Sequence, residues 1–407
     1  MSHHHPTPCD FFIVGAGILG ITTALALKRK HPESHIILIE KESAPGLHAS
    51  GRNSGVLHAG FYYTPESLKT RFCKEGNIAL TQYCLEKKLP INQCGKLVVT
   101  RNEEDLAGLH TLLQRGKENK IELYLLDEQQ AKEIEPQVKT YQKALFSPHT
   151  SSVDSSLIIK ELTKDLHRVS IQLQTNEVFL KNKKNIIHTN KNHYDVGFLI
   201  NASGLYADKI AKQFGFSKNY EILPFKGLYL YGNKSALVLR THIYPVPNLK
   251  NPFLGVHFTL NAYHDVKIGP TAIPALWREH YTGLKNFKFQ EMKDIFLKQL
   301  SLFLRSDFNF RKLAVAELKK YNKQVLLKQA DALIESLPFQ DFKTWGKPGI
   351  RAQLFDTQNK KLEMDFVLEG DEHSFHILNA VSPAFTCALP FADYISQHLA
   401  CIEKKIF

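Results

Sequence analysis

The stretch Phe11-Phe12-Ile13-Val14-Gly15-Ala16-Gly17-Ile18-Leu19-Gly20, followed by His35-Ile36-Ile37-Leu38-Ile39-Glu40, decides the fold. Four consecutive apolar residues, Phe11 to Val14, read as a strand buried on both faces, as in a parallel sheet. Gly15 to Gly20 makes a turn, Ile18 to Lys30 has helical spacing, and Pro32 ends that helix. His35 to Glu40 is a second buried strand, completing a βαβ unit. Gly15 permits the tight turn, Gly17 lets the backbone approach a pyrophosphate, and Gly20 allows the helix to pack closely on the strand. The phosphates then sit at the positive helix N-terminus. Glu40 lies 20 residues beyond Gly20, where its carboxylate can accept ribose hydroxyls. These features specify an ADP-shaped ligand and fit NAD as well as FAD.

Working outward, Phe11 to Leu27 is apolar enough to imitate a short membrane span or a signal core. Three glycines interrupt it, no basic region precedes it, and Lys28, Arg29 and Lys30 come directly after, so neither a signal peptide nor a spanning helix is expected. The 407 residues suffice for two lobes, and the 43% apolar and 23% charged content is ordinary globular usage. The net charge of +12 suits general solubility with steering of anions. Its lysines are scattered, without a continuous basic tract or zinc finger, and no nucleic-acid partner is expected. The six cysteines form no CxxC and, with no His cluster at zinc-type spacing, predict no metal site and a reducing, cytoplasmic setting. His3, His4 and His5 sit on a terminus and are not expected to act as ligands.

Further along, residues 44–60 read as a loop flanking a short helix, 68–87 and 106–119 as helices, and 95–100 as a strand leaving the first lobe. Short strands broken by Asn and Lys fill 169–203 and end in a buried strand, Gly197 to Asn201, with a small-residue turn, and 205–214 continues as a helix. Residues 222–275 suggest a mostly antiparallel sheet, 286–336 helices, 373–380 a strand, and Pro383 onward a last helix. The expected architecture is α/β (α+β overall). A Rossmann-like cofactor domain is split over 9–90, 150–220 and 340–407, with an antiparallel-sheet substrate domain from 91–149 and 221–339.

The choice between cofactors rests on the residues after Glu40. His48 to Gly55 packs small, polar and basic groups that suit a pyrophosphate and a flavin edge, naming Ser50, Arg52, Asn53 and Ser54. The Ala202-Ser203-Gly204 turn suits the same phosphates. With Gly15, Gly17, Ile18, Gly20, Glu40, Lys41, Val178 and Gly349 these are the candidate FAD contacts.

From His48 to Glu75, reading HASGRNSGVLHAGFYYTPESLKTRFCKE, the chain resembles the L-2-hydroxyglutarate dehydrogenase/oxidase group of the D-amino-acid-oxidase-like flavoproteins. Residues 94–97, 224–227, 243–247, 253–259, 349–353 and 382–384 also match, and 286–336 match least. The resemblance implies FAD as cofactor, L-2-hydroxyglutarate as substrate, 2-oxoglutarate as product, and electrons leaving to a quinone or to oxygen. In such a fold the last helix points its N-terminus at the flavin, which adds Ser382, Pro383, Ala384 and Thr386 to the cofactor candidates.

Oxidising a secondary alcohol with flavin needs a carboxylate anchor and a base for the hydroxyl proton. Arg351 is the candidate anchor, because a guanidinium binds carboxylate in a bidentate fork, and Lys226 is the candidate for a second carboxylate. His257 is the candidate substrate base and His58 the flavin-proximal group, with Tyr63 and Tyr244 as hydrogen-bond donors to substrate. Two alternatives stay open. One is an amino-acid or glycine-oxidase-like enzyme. The other is a flavin-holding protein lying on a membrane surface through 295–304, a stretch that more commonly means a buried helix face.

Overall fold

The computed structural model describes residues 5–233, 237–249, 253–305 and 309–403, and His3 and His4 lie outside them. It divides into two compact units. The first comprises Met1–Gly51, Ser155–Ile222 and Ala352–Phe407, and the second Arg52–Asp154 and Leu223–Arg351.

The first unit is built on a parallel core whose neighbouring strands are Ser374–Asn379, His193–Asn201, Thr7–Val14, Ile36–Ile39 and Gln172–Gln174. Thr7–Val14 pairs in parallel with both Ile36–Ile39 and His193–Asn201, and the latter with Ser374–Asn379. The expected recruitment of strands near 200 and 377 into the opening βαβ sheet therefore holds. The helix Ile18–Lys30 begins and ends where its glycines and Pro32 dictate. Its whole inward surface, Ile18 to Leu27 apart from one partly exposed residue, is buried, which explains the apolarity that imitates a membrane span. One helix in this unit escapes the sequence reading. Ser155–Arg168 buries Ile158, Ile159, Leu162 and Leu166 at spacings of one, three and four residues along one face.

The second unit carries a mostly antiparallel sheet. Its order is Phe342–Trp345, Leu230–Gly232, Val266–Gly269, His257–Leu260, His242–Pro245, Lys96–Val99, Lys143–Ser147 and Tyr124–Asp127. Only His242–Pro245 and Lys96–Val99 run parallel, with His242 opposite Lys96 and Tyr244 opposite Val98. Alternation along these strands sorts the side chains. Leu97, Val99, Leu230, Ile243, Phe258, Leu260, Val266 and Ile268 point into one aliphatic core. Lys96, His242, Tyr244, His257 and Lys267 therefore point to the opposite face, and that face is also buried.

Residues 52–90 fall in this second unit, whereas the sequence reading grouped them with the cofactor domain. The reason is pairing: Val56–Leu57 and Ile91–Asn92 both hydrogen-bond to Ser151–Val153, and Asn77 on the helix Leu68–Glu86 donates to the His58 and His149 carbonyls. The helices Glu128–Ile134, Phe289–Arg305, Phe310–Lys319 and Lys323–Asp331 complete the unit. Among the described residues no helix is long and apolar enough to cross a membrane.

Candidate active site

The first unit builds a nucleotide cradle from backbone. Gly15, with φ at 103°, donates its N–H to the Ile39 carbonyl at 2.8 Å. A Cβ there would lie 2.7 Å from the Ala202 carbonyl, and one on Gly20 would lie 1.9 Å from the Gly15 carbonyl. No side chain fits either place, so the two glycines are required by contact and not only by conformation. Gly17 caps the helix, and Ser50 Oγ accepts the Ile18 N–H at 2.9 Å in its first turn. Glu40, at the end of its strand and buried, accepts the Ala16 N–H on Oε2 at 2.9 Å and the Glu42 N–H on Oε1 at 3.0 Å. A carboxylate's two oxygens offer about four acceptor positions, so the two backbone donors leave others unused.

Other predicted contacts in this unit have defined places. Lys41 pairs with Glu42 at 2.5 Å and lies 5.6 Å over the Tyr206 ring. Ala202 N–H donates to the Val14 carbonyl, and Ser203 Oγ donates to Asn201 Oδ1 at 2.6 Å, so this turn is tied to the same strand ends. Gly204 has φ of 56°, with open space where a Cβ would point. Val178 donates its N–H to Asn190 Oδ1 and is 37% exposed. The last helix begins at Ala384, directly after Ser382 and Pro383, with Thr386 buried in its first turn.

Arg52, Asn53, Ser54 and Gly349 belong to the second unit and are brought together there. Arg52 donates to the Pro348 carbonyl at 3.2 Å, and a Cβ on Gly349 would lie 2.2 Å from the Arg52 carbonyl. Asn53 Oδ1 accepts the Gly55 N–H, and the Ser54 carbonyl accepts from Lys267 Nζ at 2.8 Å.

The buried polar face of the second unit's sheet is a cluster of cations, imidazoles and tyrosines. Tyr244 stacks on His257 with ring centroids 3.6 Å apart. His242 accepts the Leu260 N–H on Nδ1 at 3.1 Å, which leaves its Nε2 to carry the proton, 3.4 Å from Cys94 Sγ. Burial, reinforced by the Lys96 charge, pushes His58 down to about 3 and holds His242 and His257 well below the ordinary imidazole value. All three are therefore neutral at working pH. Lys267 lies 4.9 Å over the Tyr229 ring, and burial brings its ammonium down to about 8. Arg351 donates to the Thr271 carbonyl at 3.1 Å and stands 5.5 Å from the Phe253 ring, and its charge is felt at Tyr229.

Lys226 is not grouped with Arg351. Gly227 faces Arg351, and Phe225 packs on the same Phe253 ring, so strand alternation turns Lys226 to the other face. There burial, with the Lys226 charge added, lowers the His280 imidazole to about 4, and burial brings Lys226 itself to about 8. Tyr63 lies beside Lys69, whereas its neighbour Tyr62 joins the cluster. Tyr62, Lys96, Tyr229, His242 and Lys267 went unnamed in the sequence reading. For His242 and Lys267 the one signal is the alternation of His242-Ile243-Tyr244 and Val266-Lys267-Ile268.

A glycine turn with an acidic ribose acceptor binds a dinucleotide and leaves the redox chemistry to it, which makes the class a dinucleotide-dependent oxidoreductase. The chain belongs to the FAD-dependent oxidoreductase family, whose model matches residues 10–398. It is 34% identical over 395 residues to the L-2-hydroxyglutarate dehydrogenase of Indibacter alkaliphilus, covering 95% of this chain and 97% of that protein. The mitochondrial L-2-hydroxyglutarate dehydrogenase of Nematostella vectensis is 32% identical, covering 96% and 90%. In fold it is similar to an L-α-glycerophosphate oxidase from Mycoplasma pneumoniae solved with FAD bound, at a TM-score of 0.73, 22% identity and coverage of 97% and 94%. The glycine oxidase of Geobacillus kaustophilus gives a TM-score of 0.72 at 15% identity, covering 98% and 95%.

Proposed function

We propose that the protein oxidises L-2-hydroxyglutarate to 2-oxoglutarate with FAD. The observation that carries this reading is the charge of the second unit's inner face. Lys96 and Lys267 are buried there, and Arg351 adds its charge beside Tyr229. Glu317, the buried carboxylate whose charge is felt at Arg351, is already engaged by Lys320 Nζ at 2.5 Å and by the Ala272 N–H. A dianion supplies the missing charge.

The residues present fit FAD: the Gly15 and Gly20 approach, the Ser50 hydroxyl and the spare acceptor positions of Glu40 would hold its ADP half. When bound, FAD supplies the acceptor for the hydride leaving C2 of the substrate. Arg351 grips a carboxylate and so fixes which face of C2 is presented. His257 Nδ1, buried and without a hydrogen-bond partner, takes the hydroxyl proton. Its neutrality keeps that acceptor available, and the substrate's negative charge offsets the imidazolium formed. Tyr244, stacked on the ring, holds its orientation. Ser382 to Thr386 would serve the flavin through backbone N–H groups at the helix start. The purified protein should show flavin absorbance that bleaches on anaerobic addition of L-2-hydroxyglutarate. A spectrum unmoved by it, yet bleached by glycine or another amine, would reverse the assignment.

For the acceptor, helix Phe289–Arg305 supports a lipid-borne quinone. It buries Ile295 and Leu302, while Phe289, Phe296, Leu297, Leu300 and Leu304 stay exposed on the opposite face with Lys293 among them. Co-sedimentation with anionic but not neutral vesicles is the expected result, and loss of it in Leu297→Glu/Leu304→Glu the check.

A further inference from the structure

We propose that Lys96 and Tyr62 form the subsite for the substrate's second carboxylate, with Lys96 as its cation. The inference rests on the reading of the substrate as a dicarboxylate. Sequence reasoning gave that place to Lys226, which the strand turns away from Arg351.

Lys96 is fully buried on an interior strand of the second unit's sheet. Its Nζ has no hydrogen-bond partner, and no ion pair among the described residues reaches it. Three aromatic faces surround it instead: Tyr62 at 4.5 Å, Phe61 at 4.6 Å and Tyr244 at 5.1 Å. Such faces attract a cation but satisfy none of its N–H donors. Two more buried polar atoms are left without partners in the same group, the Tyr62 hydroxyl and His257 Nδ1. Orphaned buried groups are costly and uncommon, and two donors in one cluster call for a missing acceptor. A carboxylate accepts from Lys96 and Tyr62, while His257 Nδ1, on the ring stacked on Tyr244, stays the acceptor for the substrate hydroxyl. Arg351 and Lys96 mark two ends of one array, because Tyr229 senses Arg351 and Tyr244 senses Tyr229. Two cations at the ends of an aromatic array match two carboxylates on one small molecule.

The groups facing Lys96 are Tyr62, Tyr244, His58, His242, His257 and Cys73. None is a carboxylate. Burial brings the free ammonium down to about 7, so at pH 8 Lys96 is mostly neutral and an arriving carboxylate restores its proton.

The test uses glutarate, a five-carbon dicarboxylate that cannot be oxidised at C2, and butyrate, its monocarboxylate counterpart. Titration calorimetry of the FAD-loaded protein at pH 8, in buffers of different ionisation enthalpy, should show uptake of about one proton per glutarate. Lys96→Met should weaken glutarate binding at least ~30-fold and abolish the uptake, with butyrate changed less than ~3-fold. Tyr62→Phe should weaken glutarate about 10-fold and keeps the proposal testable if Lys96→Met loses its flavin. Absence of proton uptake by the unmutated protein, failure to bind glutarate, or unchanged binding in both variants overturns the subsite. If glutarate binds with uptake but L-2-hydroxyglutarate leaves the flavin oxidised, the assigned reaction fails and the subsite stands.

Discussion

The two units solve opposite problems in opposite ways. The cradle of the first is made of backbone, and its polar groups are already bonded to one another: Gly15 to Ile39, Ile18 to Ser50, and Ala16 and Glu42 to Glu40. The inner face of the second is made of side chains, and several of its buried polar atoms have no partner at all. A cradle that is satisfied before its ligand arrives is a rigid template. A face left unsatisfied stores its bonding capacity for a ligand that must leave again as product.

The largest expected effect breaks the template. Gly20→Val places a Cβ 1.9 Å from a backbone oxygen, which cannot yield as a side-chain tip could. FAD affinity should fall more than ~1000-fold, roughly 4 kcal/mol or more. The protein should leave gel filtration colourless, and a full flavin complement would show that the turn is not the cradle. Next in size is Arg351→Met. Removing one partner of a desolvated charge pair costs about 2–5 kcal/mol. The rate of flavin reduction at low substrate should therefore drop about 10³-fold with flavin content unchanged. Loss of flavin in step with activity would make Arg351 a scaffold residue.

A third measurement probes the second unit's buried face by pH. The folded value of His58 is pushed below its unfolded one, so between the two the unfolded chain binds more protons. Its contribution to stability is fully present above about 6.5 and is lost as pH falls toward about 3. From pH 7 to pH 4 that loss is about 3 kcal/mol from this residue alone. The melting temperature should fall across that window, and His58→Gln should flatten part of the slope. A slope identical in the variant would remove His58 as its source.

The same contrast explains what could be read from the sequence. The cradle was legible down to Gly15, Gly17, Gly20 and Glu40, because its parts lie within thirty residues of each other and each obeys a local rule. The helix Ile18–Lys30 matched its expected bounds for the same reason. The second unit's face draws Tyr62, Lys96, His242, Tyr244, His257 and Lys267 from separate strands and loops, and register brings them together. Alternation in His242-Ile243-Tyr244 and Val266-Lys267-Ile268 tells which side is apolar but reads the other side as solvent, and here that side is buried. The sequence expectation accordingly named Tyr63 and Lys226, while the structure places Tyr62 and Lys96 in the buried cluster. The helix Ser155–Arg168 was missed differently: its apolar face is plain, but Ser155 and Ser156 at its start resemble the loop before it.

The smallest effect is the sharpest test of the contrast, because it sets two hydroxyls of similar size against each other. Ser50 Oγ accepts a helix-terminal N–H, so Ser50→Ala leaves that donor unmet and should cost about 1 kcal/mol of stability. Tyr62 OH is buried with no partner, so Tyr62→Phe deletes an orphan and keeps the ring beside Lys96. Its stability should be unchanged or raised by up to about 1 kcal/mol. Measured by denaturant titration without substrate, the two variants should move in opposite directions. Tyr62→Phe should nonetheless bind the dicarboxylate less well, since the hydroxyl that burdens the free protein is the one held for the ligand. Destabilisation by both variants to the same degree would mean that the second face is as complete without its ligand as the first.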